Sequence, residues 1–357
     1  MKIAVFCPNW VGDLVMATPA LRGVRNRFPR AEIVGVMRPY VTDVVHGLDL
    51  FDWILPAASA VRPDFSSAVR SAAATFNFVR RLRAERFDLA LLLPNSFRSA
   101  AWAYVAGARR RVGFNRNGRG WMLTDPVTPP AMTAPHPVID EYLRLAAHLG
   151  CRNLSRKMEL ATTAADEARI EDFWKRHSAA GDEERDVVCL NPGGAFGSAK
   201  HWPTESFAAL ARQITGELDL RVLVLCGPAE REAAREIVGR AADRRVMSLA
   251  GESLSIGLTK AAVRRSVLLI TTDSGPRHFA PPFKVPVVTL FGPTHTAWSE
   301  THYKRSLHLQ IEVDCGPCQR RVCPLTHHRC MRDLKVEWVF RAAVTMLEKY
   351  PAKRNAA

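Results

Sequence analysis

A chain of 357 residues, 47% hydrophobic and 24% charged, is long enough for two cores and too apolar for extended disorder. Its net charge of +15 calls for an acidic partner; nucleic acid, an anionic membrane face and a phosphorylated substrate all qualify. The basic residues are scattered and carry no nucleic-acid-binding motif, so no nucleic-acid partner is expected. No apolar run reaches the length of a membrane span. The start, Met1 to Pro8, is too short and too soon broken for a signal peptide, so a soluble cytoplasmic protein is expected.

In chain order, residues 2–7 read as a buried strand, followed by Pro8-Asn9-Trp10-Val11-Gly12-Asp13 and a helix from Leu14, with Thr18-Pro19 as a second helix-start signal. Strands are expected at 32–37, 53–55 and 89–93, and helices at 76–86 and 100–106. Residues 115–137 are rich in glycine and proline and read as a long loop. Helices return at 138–149 and 165–176. The stretch 178–185 reads as a linker, after which the alternation restarts. Strands follow at 186–190, 221–226, 246–249, 267–270 and 287–291, with helices at 206–214 and 230–242 and a closing amphipathic helix at 336–350. Alternating strands and helices predict α/β domains with parallel sheets. The expected domains are 1–177 and 178–335, with 336–357 packing back toward the first; two such domains enclose a cleft between strand ends.

Candidate chemistry falls at the carboxyl ends of these strands, where α/β sheets bind ligands. Gly12 suits a tight turn, and Asp13 is either a general base at the cleft mouth or the cap of the following helix. One glycine there is too few for a dinucleotide fingerprint. In Gly193-Gly194-Ala195-Phe196-Gly197-Ser198-Ala199-Lys200, Gly194 and its neighbours allow close backbone approach. Lys200, with Ser198 beside it, then suits a diphosphate, unless it is only a surface lysine and Ser198 only a turn residue. Glu230 is placed either to accept from ribose hydroxyls or to favour a helix start. Asp273-Ser274-Gly275-Pro276-Arg277-His278 closes a buried strand; Asp273, Ser274, Gly275 and His278 either hold a phosphorylated ligand or cap the next helix. Gly292 and Thr294 end the strand after it.

Of eight cysteines, Cys7, Cys151, Cys189 and Cys226 read as small core residues. Cys315, Cys318, Cys323 and Cys330, with His327 and His328 among them, are either a metal-ligand cluster or a compact thiol-rich loop. Only the first spacing is regular. Arg80, Arg81, Arg83 and Arg86, and Arg109 to Arg111, form the densest basic groups.

Taken together, these motifs resemble the ADP-heptose:lipopolysaccharide heptosyltransferases, glycosyltransferase family nine. The resemblance rests on Trp10 to Asp13, Ala17 to Leu21, Pro192 to Ala195, Ala199 to Pro203, Asp273 to His278, Phe291 to Thr294 and the segment from Cys315 to Arg332. It implies a GT-B architecture, two Rossmann-like domains facing across a cleft. It implies inverting transfer from ADP-L-glycero-β-D-manno-heptose to the first heptose of the lipopolysaccharide inner core, with no cofactor or essential metal. By position it makes Asp13 the general base, Lys200 the diphosphate lysine, Asp273, Ser274, Gly275 and His278 the donor loop, and Glu230 the ribose ligand. The phosphorylated acceptor and the inner-membrane face would account for the basic surface. Arg277 departs from the resemblance, since family members usually carry a small or apolar residue there. Pro281-Pro282 should shorten the helix that follows. A same-fold transferase with another acceptor, a non-catalytic nucleotide-binding relative and a cysteine-metal protein are the rival readings.

Overall fold

Short strands made almost wholly of apolar residues set the architecture, because a strand covered by helices on both faces has no solvent side to leave polar. The computed structural model describes residues 1–57, 65–131, 134–178, 181, 185–194 and 196–351, with the side chains of 65–72 left aside. Most of the expected linker, Ala195 of the glycine-rich loop and the basic tail from 352 lie outside the described residues. The chain divides into two compact units, Met1–Glu159 and Leu160–Ala357.

In the first unit the strands are β1 (Lys2–Phe6), β2 (Glu32–Met37), β3 (Trp53–Pro56), β4 (Leu89–Leu92), β5 (Arg110–Phe114) and β6 (Asp125–Val127). All their pairings are parallel, in the order β3-β2-β1-β4-β5-β6. The helices are α1 (Val11–Arg27), α2 (Thr42–Val45), α3 (Phe65–Ala84), α4 (Phe97–Val105) and α5 (Val138–His148). Phe78 and Leu82 of α3 and Ala100 and Ala103 of α4 bury against Val34, Val36, Ala90 and Leu92 of the sheet. The strand order reverses between β1 and β4, and the rule for open α/β sheets puts a ligand crevice there.

The second unit runs α6 (Ala164–His177), β7 (Val187–Asn191), α7 (Thr204–Leu218), β8 (Arg221–Val224), α8 (Arg231–Ala241), β9 (Val246–Ser248), α9 (Ile256–Arg264), β10 (Leu268–Thr272), α10 (Ala280–Phe283), β11 (Val287–Phe291), β12 (Ser306–Gln310), α11 (Arg329–Arg332) and α12 (Val336–Lys349). Its strands are ordered β12-β11-β10-β7-β8-β9, the same winding as the first sheet when counted from β7. The corresponding reversal lies between β7 and β10.

Several elements differ from the sequence expectation. Thr18-Pro19 starts no new helix: α1 runs through Pro19. Proline cannot donate to the Val15 carbonyl, and the Thr18 hydroxyl donates to it instead at 2.7 Å, which removes part of the usual proline cost. The loop 115–137 contains the edge strand β6. α9, capped by the Ser255 hydroxyl accepting from Leu258 N at 3.0 Å, and the half-polar edge strand β12 were not expected from the pattern. Pro281 and Pro282 sit in α10, which has four residues, the shortening that two prolines impose.

The unit boundary falls eighteen residues before the expected 177/178 (177 − 159) because α6 packs with the second unit. Glu167 on α6 pairs with Arg264 and Arg265 at 2.9 Å each, and Arg169 donates to Ser255 Oγ at 3.0 Å. Glu159, by contrast, is held by Arg22 at 2.8 Å and by the Thr18 hydroxyl at 2.9 Å. α12, expected to pack back toward the first domain, packs on α7, β10, β11 and β12. Buried Trp202 anchors the turn before it, donating to Leu334 O at 2.9 Å.

Candidate functional site

Where β10 ends, Asp273 is buried and its carboxylate is fully engaged. Lys200 Nζ donates to Oδ2 at 2.5 Å and to the Asp273 carbonyl at 2.9 Å, and the Thr294 hydroxyl donates to Oδ2 at 2.7 Å. On the other oxygen, Oδ1, the Ser299 hydroxyl donates at 3.2 Å and Arg277 Nη1 stands 3.7 Å away. Burial alone would raise this carboxyl, but the charges of Lys200 and Arg277 and the hydrogen bonds from Lys200 and Thr294 outweigh it and hold the pKa at about 2. Asp273 therefore faces inward as the anchor of Lys200. The sequence leaves two roles open for it, a ligand contact or a helix cap, and Ser274 is the N-cap residue of the turn that follows. The ammonium spends two of its three N–H groups on Asp273 and stands 4.5 Å from the centre of the Phe196 ring.

The glycine-rich loop is tied to the same strand ends. Thr272 Oγ1 donates to Gly193 O at 2.8 Å, and Asn191 Nδ2 donates to Thr271 Oγ1 at 3.0 Å and Ser274 Oγ at 2.8 Å. A side chain on Gly194 would meet Ser274 Cβ at 3.4 Å, so these two loops touch. Glu230 lies against Gly193, where an added Cβ would come within 2.6 Å of its Cγ. Its Oε2 accepts from Gly227 N at 2.7 Å, so Glu230 caps its own turn and also borders the loop. Gly275 begins a short 3-10 turn, Gly275–Phe279, in place of a regular helix. His278 is buried within it; burial, reinforced by the charge of Arg277, pushes its pKa down to about 3 and keeps the ring neutral. Ser198 is exposed. Gly292 makes room for Met331: an added Cβ would lie 2.5 Å from its sulfur.

The cysteine segment braces these loops from outside. Gln319 N donates to Pro293 O at 2.8 Å, and Ala199 N donates to Arg321 O at 3.0 Å. Gly197, at φ +152°, has no room for a side chain, since a Cβ would fall 2.2 Å from that same Arg321 carbonyl. The Arg321 guanidinium stands 5.4 Å from the Phe196 ring. Cys315 Sγ lies 3.8 Å from His327 Nε2. Burial, followed by the neighbouring Cys318, Cys315 and Cys323, pushes the Cys330 thiol up to about 11. Among the described residues no three of these groups converge as a metal-ligand set. Phe196, Asn191, Ser299 and Arg321 escaped the sequence reading, because only the fold brings them beside Lys200 and Asp273.

In the first unit, Asp13 occupies the first turn of α1, while Trp10, not Asp13, is the N-cap residue. Burial and then the Asp13 charge push the Tyr142 hydroxyl well above its ordinary pKa, and α1 packs on α5, which carries Tyr142. Gly12 is buried next to Asp13. At the β1/β4 reversal there is a cavity of about 310 Å³ lined by Phe6, Asn9, Arg38, Ser96, Arg98 and Trp102 among others, with no carboxylate among the lining residues. Behind it Arg119 is fully buried. It donates to Phe114 O at 2.9 Å, Ser96 O at 3.2 Å and Asn95 Oδ1 at 3.3 Å. Burial, with like-charged Arg116 nearby, lowers its pKa to about 10, so it stays cationic at neutral pH with backbone carbonyls as its main partners. Nothing in the spacing of Arg38, Arg98 and Arg119 announced this grouping.

Twin parallel units with polar sites at matching strand reversals are the build of a GT-B glycosyltransferase, and the match extends to sequence. The chain belongs to glycosyltransferase family 9, the heptosyltransferases, whose family model matches residues 75–328. It is similar to lipooligosaccharide heptosyltransferase 2 of Campylobacter jejuni serotype O:2, at 26% identity over 98% of this chain and 99% of the relative. Lipopolysaccharide heptosyltransferase 2 of Escherichia coli K12 is 28% identical over 82% of this chain and 83% of its own length. The solved structure of the E. coli ADP-heptose lipopolysaccharide heptosyltransferase II superposes with a TM-score of 0.77 at 23% identity, covering 99% of this chain and 100% of that one.

Proposed function

We propose that the protein moves L-glycero-D-manno-heptose from ADP-heptose onto the heptosyl inner core of lipopolysaccharide, with inversion at the anomeric carbon. The observation that carries this reading is the Lys200 ammonium pinned by Asp273, whose carboxylate Thr294 braces in turn, at the β7/β10 reversal of a family 9 chain. A buried lysine whose geometry is set in advance stabilises the charge that develops on a departing diphosphate. In the step proposed, the acceptor hydroxyl oxygen attacks the anomeric carbon and its proton passes to Asp13. The bond from that carbon to the diphosphate oxygen breaks, and ADP leaves with the electron pair. Ser274, Gly275 and the Gly193–Gly194 turn surround the diphosphate, and Glu230 Oε1 accepts from the ribose.

On the acceptor side, the cavity flanked by Arg38 and Arg98 and backed by Arg119 suits a phosphorylated core sugar. The test is incubation with ADP-heptose and a truncated lipopolysaccharide ending in one heptose. Mass analysis should show one added heptose together with release of ADP; ADP release only with a different acceptor would leave a same-fold transferase. Arg38→Met with Arg98→Met should raise the acceptor KM about ten-fold or more without changing the donor KM, as expected for two lost charge-assisted contacts. An unchanged acceptor KM would remove the cavity from the reading.

Peripheral contact with an anionic membrane face is part of the proposal. No helix among the described residues is long and apolar enough to cross a membrane. On α3, Phe76 is 70% exposed, and Arg80 and Arg83 follow at helical spacing on the same face, both exposed, the pattern of a surface-lying helix. Arg109 and Arg110 are instead paired with Asp88 and Asp125. Binding to vesicles containing an anionic lipid should fall steeply as salt rises; salt-independent binding, or none, would contradict the docking.

A further inference from the structure

We propose that Arg277 is a positioning residue of the donor site: it offsets Asp273 from the side opposite Lys200, so that the buried ring retains a net positive charge for a diphosphate. The inference rests on the reading that this site takes an ADP-linked sugar.

A lysine paired closely with one aspartate makes a nearly neutral couple, and a neutral couple has little long-range attraction for a dianion. Here the carboxylate is shared. Oδ2 takes Lys200 and Thr294, while Oδ1 takes Ser299 and faces Arg277. Arg277 is 4% exposed and is held on three sides. Its Nη1 donates to Ser299 Oγ at 2.5 Å, its Nη2 to His308 Nε2 at 3.0 Å, and its guanidinium lies 5.1 Å from the Phe291 ring centre. Accepting that hydrogen bond requires a lone pair on His308 Nε2. Burial, with the charge of Arg277, holds this ring neutral with a pKa of about 4. His278 is also neutral.

The other carboxylate near Arg277, Glu300, is more exposed and accepts from Thr301 N at 2.7 Å and from His302 N. It makes no ion pair with Arg277 within 4.0 Å among the described residues. Burial lowers the Arg277 pKa, and the charges of Asp273 and then Glu300 oppose that fall; Glu300 thus acts on Arg277 from beyond ion-pair distance, and within that distance the ring has two cations and one carboxylate. Arg277 itself makes no approach to the glycine-rich loop among the described contacts. Its effect on a ligand passes through Asp273 and Lys200.

The experiment is calorimetric titration of the full chain with ADP and, separately, with adenosine, which shares the nucleoside and lacks the charge. Arg277→Met should weaken ADP binding about ten-fold or more, because Asp273 would then neutralise Lys200 alone, and leave adenosine binding unchanged. The double variant Asp273→Asn with Arg277→Met removes one charge of each sign and leaves Lys200 as the net charge. It should recover ADP affinity to within about three-fold of the wild type, and it guards against a single variant that fails to fold. Arg277→Met binding ADP as the wild type does would overturn the inference. So would parallel loss of ADP and adenosine, or a folded double variant that stays weak. Wild-type protein that binds no ADP would instead sink the donor reading itself.

Discussion

Asp13→Asn is expected to lower kcat by roughly 10²- to 10⁴-fold, the range for removing a general base, while ADP affinity stays within error of the wild type. Asparagine keeps the size of the side chain and its place in the first turn of α1 but cannot take the acceptor proton. A structural role for Asp13 predicts a different result. Loss of a first-turn carboxylate costs about 0.3–1 kcal/mol of stability through the helix dipole and leaves turnover near normal once the protein is folded. Steady-state kinetics with ADP-heptose and the truncated acceptor, alongside a urea unfolding curve, separates the two. Unchanged turnover would remove Asp13 as the base.

Lys200→Met should cost about 3 kcal/mol of folding stability, because it leaves the Asp273 carboxylate buried with one partner gone. The same change should weaken ADP binding by about 1.5–3 kcal/mol, the value of a hydrogen bond to a charged group. Asp273 keeps Thr294, Ser299 and the nearby Arg277, so the stability loss should lie at the low end for a broken buried pair. Adding Asp273→Asn to Lys200→Met should restore part of the stability and none of the ADP binding. Urea midpoints for the four members of the cycle give the coupling energy, and calorimetry gives the binding. A Lys200→Met protein that binds ADP normally would show the ammonium to be purely structural.

The split between these two effects marks what was legible in advance. The strand at 287–291, the break after 272 and the glycine-rich turn after 190 can be read from the chain because apolar runs, glycines and prolines act locally on the backbone. Asp273 and Lys200 were both singled out for the same reason: each follows a strand. For each the sequence offers a ligand contact or a separate structural role, helix cap for Asp273 and surface lysine for Lys200. That they face each other at 2.5 Å is a contact across 73 residues, which no local pattern encodes. Thr18-Pro19 shows the reverse case. Its local signal was read as a helix start, and the Thr18 hydroxyl took the place of the missing backbone donor.

By itself the sequence determined the class: two parallel α/β units, the loops at their strand ends, and membership of a heptose-transferring family. Strand burial, turn chemistry and motif order are properties of neighbouring residues. The tertiary structure decided which side chains serve each other. It turned Asp273 inward to anchor Lys200, set Arg277 behind it, and laid the cysteine segment across the glycine-rich loop. It also set Arg38 and Arg98 on one cavity, with Arg119 buried behind Ser96 of its wall. Those outcomes depend on which strand ends lie side by side, and in both sheets the neighbours that meet at the reversal, β1 with β4 and β7 with β10, are far apart in the chain.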